Sequence, residues 1–166
     1  NGYAVSAVVG RSEVMQMAQT TFISSTFWTE RIGSAAGLKT LEVMEQEQPW
    51  DTITEIGQRV RKIWQSLSDH YDLKISIGGL PAISTFSFQS PDAIKYKTFV
   101  TQEMLKNGFL AGTAFYACTE HSDGVLETYE TYLDPIFKLI KECEDGRDIG
   151  TLLDGEICHS GFKRLN

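Results

Sequence analysis

Ile53, Ile56, Val60, Ile63 and Leu67 recur at three- and four-residue spacing over about five turns, and no other feature restricts the fold as much. Apolar side chains so spaced line one face of a helix, and that face has to be buried against a second layer. Pro49 offers a first-turn start, so the spacing predicts a helix from about Trp50 to His70. Leu73–Ile77 and Ala82–Phe88 alternate apolar and polar residues on either side of Gly78-Gly79-Leu80-Pro81 and read as two antiparallel strands. Ser90-Pro91-Asp92 caps a helix to about Lys106, which Asn107-Gly108 ends in the left-handed manner, and Phe109-Leu110 starts another strand. Ser122-Asp123 begins the last long helix. Leu126, Tyr129, Leu133, Ile136, Phe137 and Ile140 form its apolar face, and Pro135 is expected to kink or interrupt it. A short helix near Asp148 to Leu153 and an irregular tail complete the chain.

The segment before this pattern has a different character. Ala4-Val5-Ser6-Ala7-Val8-Val9-Gly10 is small and β-branched and reads as a buried strand, which implies neighbouring strands. Arg11–Ala18 reads as a short helix with Ser12 as N-cap. Thr20–Phe27 is too β-branched and hydroxyl-rich to continue it, and a second helix is expected from about Thr29 to Gln46. The predicted class is therefore α+β, a small antiparallel sheet with helices, preceded by about 45 residues that look like the end of another domain. The boundary is placed near Glu47 to Pro49, dividing the chain into residues 1–47 and 48–166.

With 166 residues, 42% of them apolar, the chain is sized for about one ordinary domain with a core, and collagen-like or disordered classes are excluded. Fifteen Lys and Arg against 22 Asp and Glu give a formal charge of −7, which would repel an extended phosphate backbone, so no nucleic-acid partner is expected. Neither a spanning apolar run nor a basic leader is visible, so no membrane association is expected and the cytoplasm is the default compartment. Cys118, Cys143 and Cys158 are odd in number and widely spaced, and read as packing residues.

No self-contained catalytic constellation is present. His70, His121 and His159 lie far apart without metal-ligand spacing, and Cys158-His159 are sequence neighbours whose side chains diverge, so no metal site or thiolate dyad is assigned. Nucleophile-elbow, phosphate-loop and dinucleotide fingerprints are absent. The remaining candidate is Ser24-Ser25-Thr26-Phe27-Trp28-Thr29-Glu30-Arg31-Ile32-Gly33, a hydroxyl-rich loop at the mouth of a helix and thus able to hold a phosphate. Ser and Thr also cap helices routinely, and the two roles are compatible.

Asn1-Gly2-Tyr3, the strand ending Val8-Val9-Gly10-Arg11, Phe22 to Gly33, Ala35-Ala36, Gly78-Gly79-Leu80-Pro81, Phe99 to Gly108, Phe109-Leu110-Ala111 and Thr119-Glu120-His121-Ser122 occur in an order that resembles the class III aminotransferase family, closest to its glutamate-1-semialdehyde aminomutase branch. The resemblance runs to about Leu139 and fades beyond Glu144. It implies the fold type I architecture of pyridoxal-phosphate enzymes, with residues 1–47 a remnant of the large α/β cofactor domain and 48–166 its small C-terminal domain.

By the same resemblance the cofactor is pyridoxal 5'-phosphate, the intact protein is a homodimer, and the substrate is a small amine or amino acid. Thr26, assisted by Ser25, would contact the cofactor phosphate of the other subunit, while Trp28, Glu30 and Arg31 would be structural at the interface. The family's imine-forming lysine would lie just before Asn1 and so outside this chain; no lysine precedes Lys39, whose predicted helix is the wrong setting. The implied reaction of the parent is isomerisation or transfer of an amino group, with glutamate-1-semialdehyde to 5-aminolevulinate leading, and the isolated chain is expected to be inactive. Many members carry an arginine after the late strand to pair with a substrate carboxylate. Here Ala114-Phe115-Tyr116-Ala117-Cys118-Thr119 has none, which fits the aminomutase branch and equally an amine or amino-sugar substrate without an α-carboxylate. A binding domain that kept the fold and lost catalysis is the competing class. Val5, Val8 and Val9 are expected to expose apolar surface and favour self-association or disorder.

Overall fold

The computed structural model describes residues 2–23, 26, 27 and 29–159. They form two compact units, Asn1–Gln48 and Pro49–Asn166.

In the first unit, α1 (Ser12–Met15) passes into a 3₁₀ turn (Gln16–Thr20), and after a loop α2 (Ile32–Glu47) follows. Ser12 is the first helical residue rather than the cap; Arg11 occupies the N-cap, with no side-chain bond to the helix. Residues 4–10 are not a strand. They run without a ladder partner and leave Val8 69% and Val9 86% exposed, because no described segment of this unit offers an edge to pair with. α2 begins at Ile32, three residues later than expected, and ends with Gln48 in the left-handed conformation at φ 48°.

The second unit holds the helix announced by the apolar spacing. α3 (Pro49–His70) starts on its proline and buries Gly57, Val60, Ile63, Trp64, Leu67 and Ser68, so the seam also takes in a glycine, a tryptophan and a serine that the aliphatic count omits. Its end is fixed by Asp72 at φ 50°, with the Leu73 N–H bonding the Ser68 carbonyl at 2.9 Å and the Ser68 hydroxyl donating to the Leu73 carbonyl at 2.6 Å.

β1 (Ile75–Leu80) and β2 (Ile83–Phe88) pair antiparallel, Ile75 opposite Phe88 and Leu80 opposite Ile83. The turn is therefore Pro81-Ala82 alone, and Gly78-Gly79 lie inside β1 instead of linking two strands. The Arg61 side chain of α3 accounts for this: its guanidinium donates to the Gly78 carbonyl at 3.2 Å, the Gly79 carbonyl at 2.5 Å and the Ser84 hydroxyl at 2.7 Å. Next to this clamp the hairpin tip lies directly on α3, where a Cβ on Gly57 would collide with the Pro81 carbonyl.

α4 (Ala93–Lys106) ends as expected, with Gly108 at φ 82° and the Phe109 N–H bonding the Met104 carbonyl at 2.9 Å. The following strand starts later than expected. β3 is Ala114–Tyr116, paired antiparallel to β2 with Ile83 opposite Tyr116, giving the sheet order β1-β2-β3. Phe109-Leu110 are loop, with Leu110 96% exposed. α5 (Asp123–Glu144) buries all six predicted positions and runs through Pro135 without interruption. The pyrrolidine ring sits on the exposed side, where water can satisfy the carbonyl that loses its partner.

One face of the sheet (Ser84, Phe86, Phe88) packs on the helices. Trp64, Phe86, Phe88, Tyr96, Phe99, Tyr129 and Phe137 supply the aromatic part of this core, and the Trp64 indole N–H donates to the Tyr129 hydroxyl at 2.8 Å. A 3₁₀ turn (Ile149–Leu152) leads the tail back along α4, where Gln102 holds Leu152 and Asp154 and the Thr98 hydroxyl accepts from the Cys158 N–H at 3.1 Å. No helix among the described residues is long and apolar enough to cross a membrane.

Two measurements test this core. Gly57→Ala should lower unfolding free energy by roughly 1–3 kcal/mol in denaturant titration, because the hairpin tip has to shift off α3. Burial pushes the Tyr129 phenol up to about 12 from the ordinary 10. The folded state therefore keeps a proton that the unfolded chain loses above pH 10, and Tyr129 alone should take about 1.4 kcal/mol per pH unit from the stability between pH 10 and 12, in addition to what the raised Tyr71 and Tyr96 phenols take. Tyr129→Phe should flatten that alkaline slope while lowering stability at neutral pH, since the Trp64 N–H loses its acceptor.

Candidate functional site

The hydroxyl-rich loop ends in a turn in which the Glu30 N–H bonds the Phe27 carbonyl at 3.1 Å. Thr26 stands just before that turn and is exposed, and among the described residues no hydrogen bond engages its hydroxyl. Ser25, its expected assistant, lies outside the described residues, as do Ser24 and Trp28.

The helix mouth itself is occupied. The Glu30 carboxylate accepts from the Ile32 N–H at 2.7 Å and, more loosely, from the Gly33 N–H at 3.4 Å. These are the first two amides of α2, the donors that an anion at a helix start would use. Gly33 is buried because residues 2–7 cross it closely; a Cβ there would collide with the Ala4 carbonyl. Sequence reading placed Glu30 at an interface and missed this contact. A glutamate two residues before the helix is an uncommon cap position, and the usual Ser/Thr capping pattern gives no cue for it.

Lys39 lies on α2 with its side chain 68% exposed, paired with Glu42 at 2.9 Å. His121 is held locally: its Nδ1 accepts from the Cys118 N–H at 3.1 Å, so the neutral ring carries its proton on Nε2, and it packs on Phe115 at 4.8 Å between ring centres. His70 meets the ring of Tyr71 edge-on at 4.6 Å. The described residues contain no group of three or more His, Cys, Asp or Glu able to hold a metal. Cys118, Cys143 and Cys158 are free thiols, and burial raises the Cys143 thiol above its ordinary pKa.

The segment without arginine forms β3 and its exit. Phe115 packs inward against His121 and Tyr129, whereas Tyr116 is 69% exposed. Strand register places Leu80, Ile83 and Tyr116 in one row across the open sheet face, with Gly78, Thr85 and Ala114 in the next row and Ser76 and Ser87 beyond. None of these eight residues carries a charge at neutral pH, although 22% of the chain is Asp, Glu, Lys or Arg. A recess of about 300 Å³ between Phe109, Phe115, Tyr116, His121 and Tyr129 adjoins this row.

No family model matches the chain. It is 30% identical over 129 residues to a 3-aminobutyryl-CoA aminotransferase of Cloacimonas acidaminovorans (strain Evry), covering 74% of this chain and 31% of that protein. It is 25% identical over 138 residues to a 2'-deamino-2'-hydroxyneamine transaminase of Streptomyces kanamyceticus, covering 80% and 35%. These relatives are aminotransferases. An aminopentol aminotransferase of Sphingopyxis macrogoltabida follows at 23% over 133 residues, 78% of this chain and 32% of that one. The chain therefore spans about a third of the length of the curated relatives it matches. In fold it is similar to the FumI protein of Sphingopyxis sp. MTA144, solved in its PLP internal aldimine form, with a TM-score of 0.69, 16% identity, and coverage of 87% of this chain and 36% of that one. The small three-stranded antiparallel sheet with helices is thus part of a fold that the chain shares with that protein.

An exposed i,i+3 pair contributes only about 0.3–0.5 kcal/mol. Lys39→Ala should accordingly leave stability within about 0.5 kcal/mol and, in the full-length protein, leave any cofactor-derived visible absorbance unchanged. Loss of that absorbance would restore Lys39 as an imine-forming lysine.

Proposed function

We propose that the protein containing this chain is a pyridoxal-phosphate-dependent aminotransferase acting on an amine without a free α-carboxylate. The chain would contribute the end of the large cofactor domain (residues 1–47) and the small domain (48–166), and the imine-forming lysine would come from polypeptide outside these residues. The observation that carries the reading is that three aminotransferases match 74%, 80% and 78% of the chain. Those proteins are named for 3-aminobutyryl-CoA, 2'-deamino-2'-hydroxyneamine and aminopentol, which agrees with an open sheet face whose eight residues include no cation to pair with a carboxylate.

Thr26 suits one part of the cofactor: an exposed hydroxyl that no hydrogen bond among the described residues engages can donate to a phosphate dianion, a charge-assisted bond of about 1.5–3 kcal/mol. Ser25 is its proposed assistant, and a second subunit is proposed to bring the phosphate to this loop. When bound, the cofactor supplies an electron sink for proton movement at the amine-bearing carbon. Because the imine-forming lysine is proposed to lie outside these residues, the chain is proposed to be inactive by itself.

The missing arginine also favours a second reading, isomerisation of glutamate-1-semialdehyde to 5-aminolevulinate, which moves an amino group within one molecule and needs no keto acid acceptor. An assay of the full-length protein separates the two. Keto-acid-dependent deamination of a carboxylate-free amine, without aminolevulinate formation, is expected; the reverse result establishes the aminomutase, and neither activity points to a non-catalytic domain. Thr26→Val should weaken pyridoxal phosphate binding by about tenfold to a hundredfold with an unchanged melting temperature.

A further inference from the structure

We infer that the recess beside β3 is a binding site for a small neutral molecule that joins an aromatic body to a hydrogen-bond acceptor. The inference needs neither Thr26 nor a cofactor, and every residue lining the recess belongs to the second unit.

Size and lining set the body of the ligand. The recess holds about 300 Å³. An apolar cavity of about 150 Å³ takes up benzene, so this one has room for a ring with a substituent. Phe109 and Phe115 stand 6.1 and 6.4 Å from Tyr129, and Phe115 stands 4.8 Å from His121, between ring centres. A planar guest set against these rings meets both edges and faces, the contacts that aromatic pairs prefer. No Asp, Glu, Lys or Arg lines the recess, so an ion entering it would lose water without gaining a counter-charge. A neutral guest is thereby selected. Leu110 and Tyr116, 96% and 69% exposed, also line it and leave apolar surface in water for a guest to cover.

Two features supply the polar contact. β3 is an edge strand. The Thr113 carbonyl accepts from the Phe86 N–H and the Ala117 N–H donates to the Ala82 carbonyl, both toward β2. Backbone groups alternate along such a ladder, so those of Ala114 and Tyr116, which line the recess, turn to the free edge. His121 lines the recess as well. Its Nδ1 is taken by the Cys118 N–H at 3.1 Å, which leaves Nε2–H as its donor, and no hydrogen bond among the described residues engages that group. A guest with a carbonyl oxygen can accept from donors that are otherwise left to water. Apolar walls with a few polar groups are the usual makeup of a small-molecule site.

Body and acceptor are tested separately. In the full-length protein, dissociation constants are measured from the ¹⁹F resonances of para-fluorobenzamide, para-fluorotoluene, para-fluorobenzoate and (para-fluorophenyl)trimethylammonium. Wild type should bind the benzamide about tenfold more tightly than either charged probe. His121→Asn keeps an acceptor for the Cys118 N–H but carries no Nε2–H. It should weaken the benzamide about threefold to tenfold and leave the toluene, which has no acceptor, unchanged. Val125→Trp fills the recess from a position on α5 that is 38% exposed, and should abolish binding of both neutral probes at an unchanged melting temperature. Should the tryptophan lower the melting temperature, the contrast between the two probes in His121→Asn decides alone. No binding by wild type, a charged probe held as tightly as the benzamide, equal weakening of both neutral probes in His121→Asn, or wild-type affinity in a stably folded Val125→Trp each overturns the assignment.

Discussion

Residues 49–159 assemble on a single helix face. α3 presents Val60, Trp64 and Leu67 at one-turn intervals, and Trp64, fully buried, touches both of the layers that cover it. Its ring lies 4.7 Å from Phe86 of the sheet, and its N–H bonds Tyr129 of α5. A buried indole N–H without a partner would cost about 1–3 kcal/mol, so the tryptophan can serve as the hub only because α5 places a hydroxyl opposite it. Among the described residues every buried side-chain nitrogen and oxygen has a partner, and the core gains its apolar burial without that penalty.

The sheet's position follows from the same face of α3. Gly57 lies two turns before Trp64 and leaves room for the hairpin tip, while Arg61 between them holds the Gly78 and Gly79 carbonyls and the Ser84 hydroxyl. Ser84 passes a further bond to the Pro81 carbonyl at 2.9 Å, which closes the tip. With the tip fixed, register carries Tyr116 to its place opposite Ile83 and fills the open face with uncharged residues. The uncharged open face is therefore aligned by contacts on the other side of the sheet.

What the sequence revealed depended on how local its cause was. The faces of α3 and α5 were legible because helical period is a local property, and the end at Gly108 because a left-handed glycine is too. The Gly78-Gly79 pair read as a turn because glycines usually punctuate; they became strand because Arg61, seventeen and eighteen residues away, satisfies their carbonyls. Residues 4–10 read as a strand by composition, yet a strand exists only where an edge pairs with it. Phe109-Leu110 failed for a similar reason, since the ladder with β2 begins only at Ala114. Thr26 could be singled out from residue types alone, whereas the capping of α2 by Glu30 depended on side-chain reach that no spacing rule encodes.

The two units hold their shape by different means, and this bears on the loop. The second unit has a core; in the first, neither α1 nor α2 buries an apolar side chain, Gly33 being the one buried residue of α2, and Phe22 and Val9 are 94% and 86% exposed. Burial supplies most of the stability of folded segments, so the described part of this unit draws its order from hydrogen bonds and close backbone contacts instead. Such bonds contribute only about 0.5–1.5 kcal/mol each against competing water. At the start of α2 these are the Glu30 N–H on the Phe27 carbonyl, the Glu30 carboxylate on the Ile32 and Gly33 amides, and the close crossing of Gly33 by Ala4. Covering the exposed face of α2, where Leu38 and Leu41 are 66% and 63% exposed, would add the burial term that they lack.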